Sequence, residues 1–395
     1  MGHCWTRQET TGELNVQRLD RPGSPSSLPL PRASLVLQET LRSELASIDA
    51  DASSIDILVG DAFDKPSIDA IASSTKVLLS TAGPFAISGA PVVDACVANS
   101  THYVDITGEV PFITASAHKH HKQAAANNIR VIHCCGYDSV PSDLGAMAVV
   151  KKARALGKTI AKVTTIVGDS RGGVSGGTIA SGLNLTADKE ISKSDMGMYS
   201  YIPEGQKKGT ATDVWSPVFC QATQGWLAPF VMALVNTRVV QRSNYLLDWG
   251  KDKFTYAEHM GAKTRMKAWM VSAATAMIGL VFSQPWLHPL AKKMLPKQGE
   301  GPSRDTMMHG YYNHTIVGEC TDGEIIMGTF SDKKRDPGYW GTSRLLLEAA
   351  LCLAIDIKAL DDSDEVLKGG VLTPASGLGS VYVERLRKAG IECRA

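Results

Sequence analysis

The sequence predicts an α/β protein: a parallel sheet comes first, and a second α/β domain carrying an apolar helical segment follows. Short apolar runs alternate with helical stretches from about residue 55 to residue 152, the rhythm of βαβ units. The 36 glycines and only 6% aromatic residues suit a fold rich in strand-to-helix turns. The 395 residues suffice for two cores. Charge is balanced, 41 Lys+Arg against 40 Asp+Glu, which argues against the basic face of a nucleic-acid binder. A composition of 44% hydrophobic and 21% charged residues is that of a globular protein, not a disordered or fibrous one.

Met1–Arg32 holds Pro22, Pro25, Pro29 and Pro31 and keeps no period of 2 or 3.6, so residues 1–34 are expected to be a largely unstructured first unit. Leu35, Leu37, Leu41, Leu45 and Ala46 recur at helical spacing and open a domain assigned to residues 35–152. Strands are expected at Ile55–Val59, Val77–Ser80, Tyr103–Ile106 and Ile129–Cys134. Helices are expected at Ile68–Ser73, Ala90–Asn99 and from Pro111 to about Asn127. Ser142 reads as the N-cap of a helix Asp143–Lys152. Such units wind right-handed into a parallel sheet.

A second α/β domain is assigned to residues 153–339. It opens with a strand at Val163–Val167 and a glycine-rich turn at Gly172–Thr178. His314–Glu319 and Glu324–Ser331 alternate around Thr321-Asp322-Gly323, a hairpin signal. Residues 340–395 add a helix at Trp340–Ile355, a short strand at Gly369–Leu372 and a helix at Ser380–Lys388, which are expected to return to the first domain. Ala268–Leu287 has twenty residues without Asp, Glu, Lys, Arg or His, and Trp269 and Trp286 lie near its ends. Lys263, Arg265 and Lys267 precede it, and Lys292, Lys293 and Lys297 follow. Such a helix is long enough to span a bilayer, but Ser272, Thr275, Ser283, Gln284 and Pro285 favour a buried or membrane-surface helix. The basic flanks suit anionic lipid.

The eight cysteines are scattered without a C-x-x-C pair and read as reduced thiols of a cytosolic-facing protein. No secretory signal opens the chain. His118, His120 and His121 with Lys119 and Lys122 read as a solvated helix face, and no metal site is expected. Gly172–Thr178 lacks the Lys of a P-loop, and no G-x-S-x-G elbow occurs.

Ligands of open parallel sheets bind beyond the carboxyl ends of the strands. Here those ends read Gly60-Asp61, Thr81-Ala82-Gly83-Pro84-Phe85, Thr107-Gly108-Glu109 and Cys135-Gly136-Tyr137-Asp138-Ser139. Any one of them could be an ordinary capping turn; four in succession suggest a site. The Tyr137 hydroxyl could donate a proton, with Asp138 orienting it, although an Asp before Ser139-Val140-Pro141 is also a good turn former. The glycine loop that normally opens a dinucleotide sheet is absent: Gly2, Gly12 and Gly23 follow no apolar run.

The run STAGPFAISGAPVVDACVANSTHYVDITGEVPF, then HCCGYDSVPSDLGAM, GGVSGGTIAS and GGVLTPASGLG, resembles the saccharopine dehydrogenase-like oxidoreductases, which include trans-acting enoyl reductases of bacterial glycolipid synthesis. The resemblance runs from about Leu35 to the C-terminus. It implies a Rossmann-like sheet that is incomplete at its N-terminus, since Met1–Arg32 resembles none of the family's first βαβ unit, with its glycine loop and central strand. It implies NADP or NAD as cofactor. Asp61 would lie near the adenine, Thr81, Ala82, Gly83, Pro84 and Phe85 beside the pyrophosphate and ribose, and Gly136, Tyr137 and Asp138 at the nicotinamide.

The expected function is therefore NADP-dependent reduction of a lipid-linked enoyl substrate in glycolipid or lipid metabolism, with Tyr137 and Asp138 as catalytic candidates. One alternative is a saccharopine or amino-acid dehydrogenase, for which Arg154, Arg171 and Arg238 are the available carboxylate partners. The other is a non-catalytic lipid-surface protein that has lost its cofactor loop. The resemblance also implies a location on the cytoplasmic face of membranes or on lipid droplets, with cytosol or mitochondrion as the alternative. Contact with the lipid surface would run through Ala268–Leu287, and the chain could form a homodimer.

Overall fold

The computed structural model describes residues 2–7, 13–18, 56–173, 195–203, 205–206, 209–288 and 301–395. The helix expected at Leu35–Ala46 and most of the turn Gly172–Thr178 lie outside these residues.

Two seven-stranded sheets organise the molecule. The first contains β1 (Gly2–Arg7), β2 (Glu13–Arg18), β3 (Asp56–Asp61), β4 (Val77–Ser80), β5 (His102–Asp105) and β6 (Arg130–Ile132). A late strand, β13 (Gly370–Leu372), completes it in the order β3-β2-β1-β4-β5-β6-β13. Strands β1, β4, β5, β6 and β13 run parallel, and β4, β6 and β13 are buried on both faces. The helices between them are α1 (Lys65–Ser73), α2 (Phe85–Ala98), α3 (Val110–Ala126) and α4 (Val140–Ala155).

The first 32 residues depart from the expected unstructured segment. β1 pairs in parallel with β4, Gly2 opposite Val77 and Trp5 opposite Ser80, and so occupies the central position that the sequence leaves vacant. Among the described residues no crossover helix follows β1. β1 pairs antiparallel with β2, and β2 antiparallel with β3. Only residues 8–12 join β1 to β2. A link that short permits a hairpin but not a parallel crossover, which needs about a dozen residues or more.

The second sheet contains β7 (Ile160–Arg171), β8 (Val218–Cys220), β9 (Gly225–Pro229), β10 (Thr255–Ala262), β11 (Tyr311–Cys320), β12 (Ile325–Asp332) and β14 (Glu392–Arg394). Their order is β14-β12-β11-β7-β10-β9-β8. The β11–β12 hairpin forms as the sequence predicts, with Gly323 at φ +86 supplying its left-handed turn residue. The last segment divides: β13 returns to the first sheet, but β14 pairs with β12 of the second.

Helix α4 packs between the sheets. Leu144, Met147 and Val150 share one buried cluster with Leu79 and Ile132 of the first sheet and Ile316 and Phe330 of the second. Close approach depends on glycine: a Cβ at Gly145 would lie 2.7 Å from Ile316, and one at Gly318 would lie 2.2 Å from Val149. Helix α4 begins at Val140 after Ser139, so Ser142 is not its cap. The Ser142 hydroxyl donates instead to Glu258 across the domain boundary.

Helix α5 (Ala233–Leu247) is absent from the sequence reading because it lacks a polar face turned to water. Asn236, Thr237, Arg238, Gln241, Arg242, Ser243 and Asn244 are all buried. The Arg238 guanidinium pairs with Asp213, and that of Arg242 donates to the carbonyls of Val371 and Tyr201. His121 also meets Arg242, and His120 is buried against Asp94. The histidine cluster is therefore not a solvated face; two of its three rings are packing groups.

Asp143 joins α4 to the chain end. Its Oδ1 accepts from Ser243 Oγ at 2.5 Å, and its Oδ2 accepts from the Ala375 N–H at 2.7 Å, in the first turn of α10 (Pro374–Lys388). Asp143→Ala strands that buried N–H, and the expected loss of stability is about 2 kcal/mol, read by urea denaturation. An unchanged midpoint and slope would refute this bracing role.

Candidate active site

Two buried carboxylates set the loops at the ends of β4, β5 and β6. Glu109 Oε1 accepts the Phe85 N–H at 2.9 Å and Oε2 the Ala86 N–H at 2.6 Å. This caps the first turn of α2, whose N-cap residue, Pro84, offers no side-chain acceptor. Asp105 Oδ1 accepts from the N–H groups of Thr107 and Cys134, both at 3.1 Å, and Oδ2 meets His133 Nδ1 at 2.7 Å. The Asp105 carbonyl accepts from the Cys135 N–H at 2.7 Å. Cys134 adopts φ +62 there, a left-handed conformation that a cysteine rarely takes. His133 Nε2 lies 2.8 Å from Ser116 Oγ, so Asp105, His133 and Ser116 stand in the sequence of a nucleophile triad. All three are buried, and Phe112 and Tyr103 pack edge-on to the imidazole; the array is a brace, not an accessible nucleophile.

The brace sends Gly136-Tyr137-Asp138 toward the second sheet. The hydroxyl of half-buried Tyr137 lies 3.0 Å from His314 Nε2, and its ring packs edge-on to Tyr312 at 4.7 Å. Burial, reinforced by Asp138 and Glu258, raises the phenol far above its ordinary range, so it stays protonated. Burial lowers the His314 imidazole to about 3, so it stays neutral. His314 Nδ1 is buried without a partner. An unmet acceptor is tolerated better than an unmet N–H, which favours the tautomer with hydrogen on Nε2. Nε2–H then donates to the Tyr137 oxygen and leaves the phenolic hydrogen free for a ligand. His314, rather than Asp138, orients Tyr137.

Thr165, Tyr256 and Glu258 share the inward face of the second sheet with His314 and Tyr312, as the register requires. Thr165, Tyr256 and Glu258 are buried together there, the Tyr256 hydroxyl beside those of Thr165 and Ser142 and the Glu258 carboxyl beside Asn236 and Ser142. Ser139 Oγ bonds Asn236 Oδ1 at 2.8 Å, and Ser142 Oγ bonds Glu258 Oε1 at 2.8 Å. This buried polar wall suits the polar end of a ligand. Among the described residues the pyrophosphate has no comparable seat, because Glu109 already holds the first N–H groups of α2. Asp61 is exposed at the end of β3, where its Oδ1 accepts the Phe63 N–H. A separate cavity of about 560 Å³, lined by Tyr312, Lys333, Glu392 and Arg394 among others, touches none of the strand-end residues.

No protein-family model matches the chain. Its curated relatives are informative. A protein of Mycobacterium tuberculosis named as a trans-acting enoyl reductase is 34% identical over 96% of this chain and 93% of its own. The trans-acting enoyl reductase of Mycobacterium leprae is 30% identical over 96% of this chain and 94% of its own. The chain belongs to the saccharopine dehydrogenase-like family. It is an oxidoreductase. Among solved structures, apo saccharopine dehydrogenase (L-Glu forming) from Saccharomyces cerevisiae aligns over 85% of this chain and 87% of that one, with TM-score 0.46 and 12% identity.

The M. tuberculosis relative aligns over 96% of this chain, so part of Met1–Arg32 falls inside the aligned span. The arginines considered for a dicarboxylate substrate are engaged: Arg238 with Asp213, Arg171 with Asp305 at 3.8 Å, and Arg154 with the Asp248 carbonyl. The sequence reading missed His314, Glu258 and Tyr256. His314 was legible as the inward position between Tyr312 and Ile316 on an alternating strand; Glu258 and Tyr256 lie on a strand that gave no signal.

Burial raises the Glu258 carboxyl to about 8 and that of Asp143 to about 7. Their folded pKa values exceed the unfolded ones, so the stability tied to their protons is lost as pH rises through the folded values. The buried, neutral His102, His259 and His314, lowered to about 4, 4 and 3, act oppositely and lose stability only below about 6.5. Between about pH 6.5 and 8 the carboxyls therefore decide the slope. Stability should fall there by about 2 kcal/mol through Glu258, and Glu258→Gln should flatten the fall. Chemical denaturation of both proteins across this window measures it; parallel curves would refute it.

Proposed function

We propose that this oxidoreductase reduces the carbon–carbon double bond of a lipid-linked enoyl substrate with NADPH. The observation that carries the reading is Tyr137, held by His314 at the end of β6 with its phenolic hydrogen unspent, facing a buried polar wall. The names of the M. tuberculosis and M. leprae relatives support the enoyl class. A bound dihydronicotinamide would supply hydride to the β-carbon. The electron pair of the double bond then rests on the α-carbon and its conjugated carbonyl. Tyr137 donates its proton to the α-carbon, and water restores it; His314 holds the oxygen in place throughout. Thr165, Tyr256 and Glu258 position the polar end of the ligands.

Arg238, the buried one of the three arginines, is already paired with Asp213, which weighs against a dicarboxylate amino-acid substrate. The decisive assay follows NADPH consumption by the purified chain with an enoyl thioester and with saccharopine. Turnover of the enoyl compound alone is expected; turnover of saccharopine alone would overturn the reading. Tyr137→Phe should lower kcat about 100-fold or more with little change in KM. His314→Gln, whose amide can still donate, should keep more activity than His314→Leu. Equal activities for those two variants would remove His314 from its positioning role.

A further inference from the structure

Helix α6 (Arg265–Ser283) is amphipathic in the inverted sense. Its buried positions are the small Ala268 and Ser272, with Thr275 half-buried on the same face. Its outward positions are large and apolar: Met266, Trp269 and Met270 are 72%, 52% and 64% exposed, and Met277, Ile278 and Leu280 follow. Trp286, just past the helix, is 74% exposed. A helix of an ordinary globular protein buries its large apolar side chains and exposes its polar ones. Here nineteen residues, about 28 Å of helix, do the reverse, with only 11% of an 18-residue window buried.

The patch extends beyond the helix. The Arg265 guanidinium lies over the Trp226 ring at 5.5 Å and fixes the start of α6 against β9. Phe219 and Val218 on β8 are exposed beside it, and Phe219 packs edge-on to Trp226. Lys263, Arg265 and Lys267 stand exposed at the helix start, whereas no charged residue interrupts Ala268–Leu287. Cations at one end, an uncharged apolar stripe and exposed indoles near both ends are the features of a helix lying in the headgroup region of an anionic bilayer.

From this we infer that α6 and the adjoining β8–β9 hairpin dock the protein peripherally on an anionic phospholipid surface. The inference does not depend on the enoyl-reductase reading. A full span does not fit, because Ala268 and Ser272 are already covered by the protein itself. A second copy of the chain would cover the apolar stripe but would leave exposed Lys263, Arg265 and Lys267 without the anionic partner that a lipid headgroup supplies.

The test is flotation of the full chain with phosphatidylcholine vesicles, with and without phosphatidylglycerol. Binding is expected only with the anionic lipid, should weaken about fivefold for each of Lys263, Arg265 and Lys267 changed to Glu, and should fall with salt. Met270→Glu with Met277→Glu, both at exposed positions, should reduce binding at least about tenfold while thermal unfolding stays unchanged. Bound protein should be released by alkaline carbonate. Failure to float, or equal flotation of the Met variants, would overturn the proposal. So would resistance to carbonate, which indicates a span. Sedimentation showing that the Met variants turn a lipid-free dimer into a monomer, with flotation unaffected, would assign the stripe to a second copy instead.

Discussion

Asp105 sits at the end of β5 with no exposure to water, and four donors converge on it: the N–H groups of Thr107, Cys134 and Cys135 and the ring of His133. Three of the four reach the carboxylate and the Cys135 N–H reaches the Asp105 carbonyl; a carboxylate is costly to bury without such donors. Its bonds to Cys134 and Cys135 hold the left-handed turn at Cys134, and the turn aims Tyr137 away from its own sheet and at His314 of the other. Without the carboxylate the turn would keep only the bond from the Cys135 N–H to the Asp105 carbonyl. The position of the phenol thus depends on a residue that never touches it.

The same device recurs. Glu109 fastens the Thr81–Phe85 loop by capping α2, and Asp143 fastens α10 to α4. In each case a buried acid takes backbone N–H groups that the start of a helix leaves unpaired. Glu258 is the exception. Its carboxyl meets the side chains of Ser142 and Asn236 rather than backbone N–H groups, and burial lifts it to about 8. A carboxyl kept protonated by burial can donate a hydrogen bond as well as accept one, which is what a ligand's polar end would meet there.

Strands Val77–Ser80 and Tyr103–Ile106 were legible because fully buried parallel strands leave short apolar runs between turn residues. The β11–β12 hairpin was legible from its Asp-Gly turn. Helix α5 was not, because its polar residues are buried by pairing with carbonyls and with Asp213, and no sequence pattern distinguishes them from a solvated surface. Helix α6 was legible as an apolar segment, but its inversion was not: which face meets the protein is decided by its packing against β9 and β10, not by its own pattern. The motif residues Tyr137 and Asp138 were singled out, yet the partner that orients the phenol comes from a strand some 177 residues later.

Strand β1 presents the opposite case, in which position is retained and connection is not. A central parallel strand normally leads into a helix whose first N–H groups are available to phosphate. Here β1 turns straight back into β2, so the sheet keeps its order, and with it the placement of the β4, β5 and β6 loops, without that helix. Glu109 meanwhile closes the next helix start to anions. The order of the first sheet thus rests on the register between β1 and β4, while the placement of Tyr137 rests on the later strands and on His314 of the second sheet.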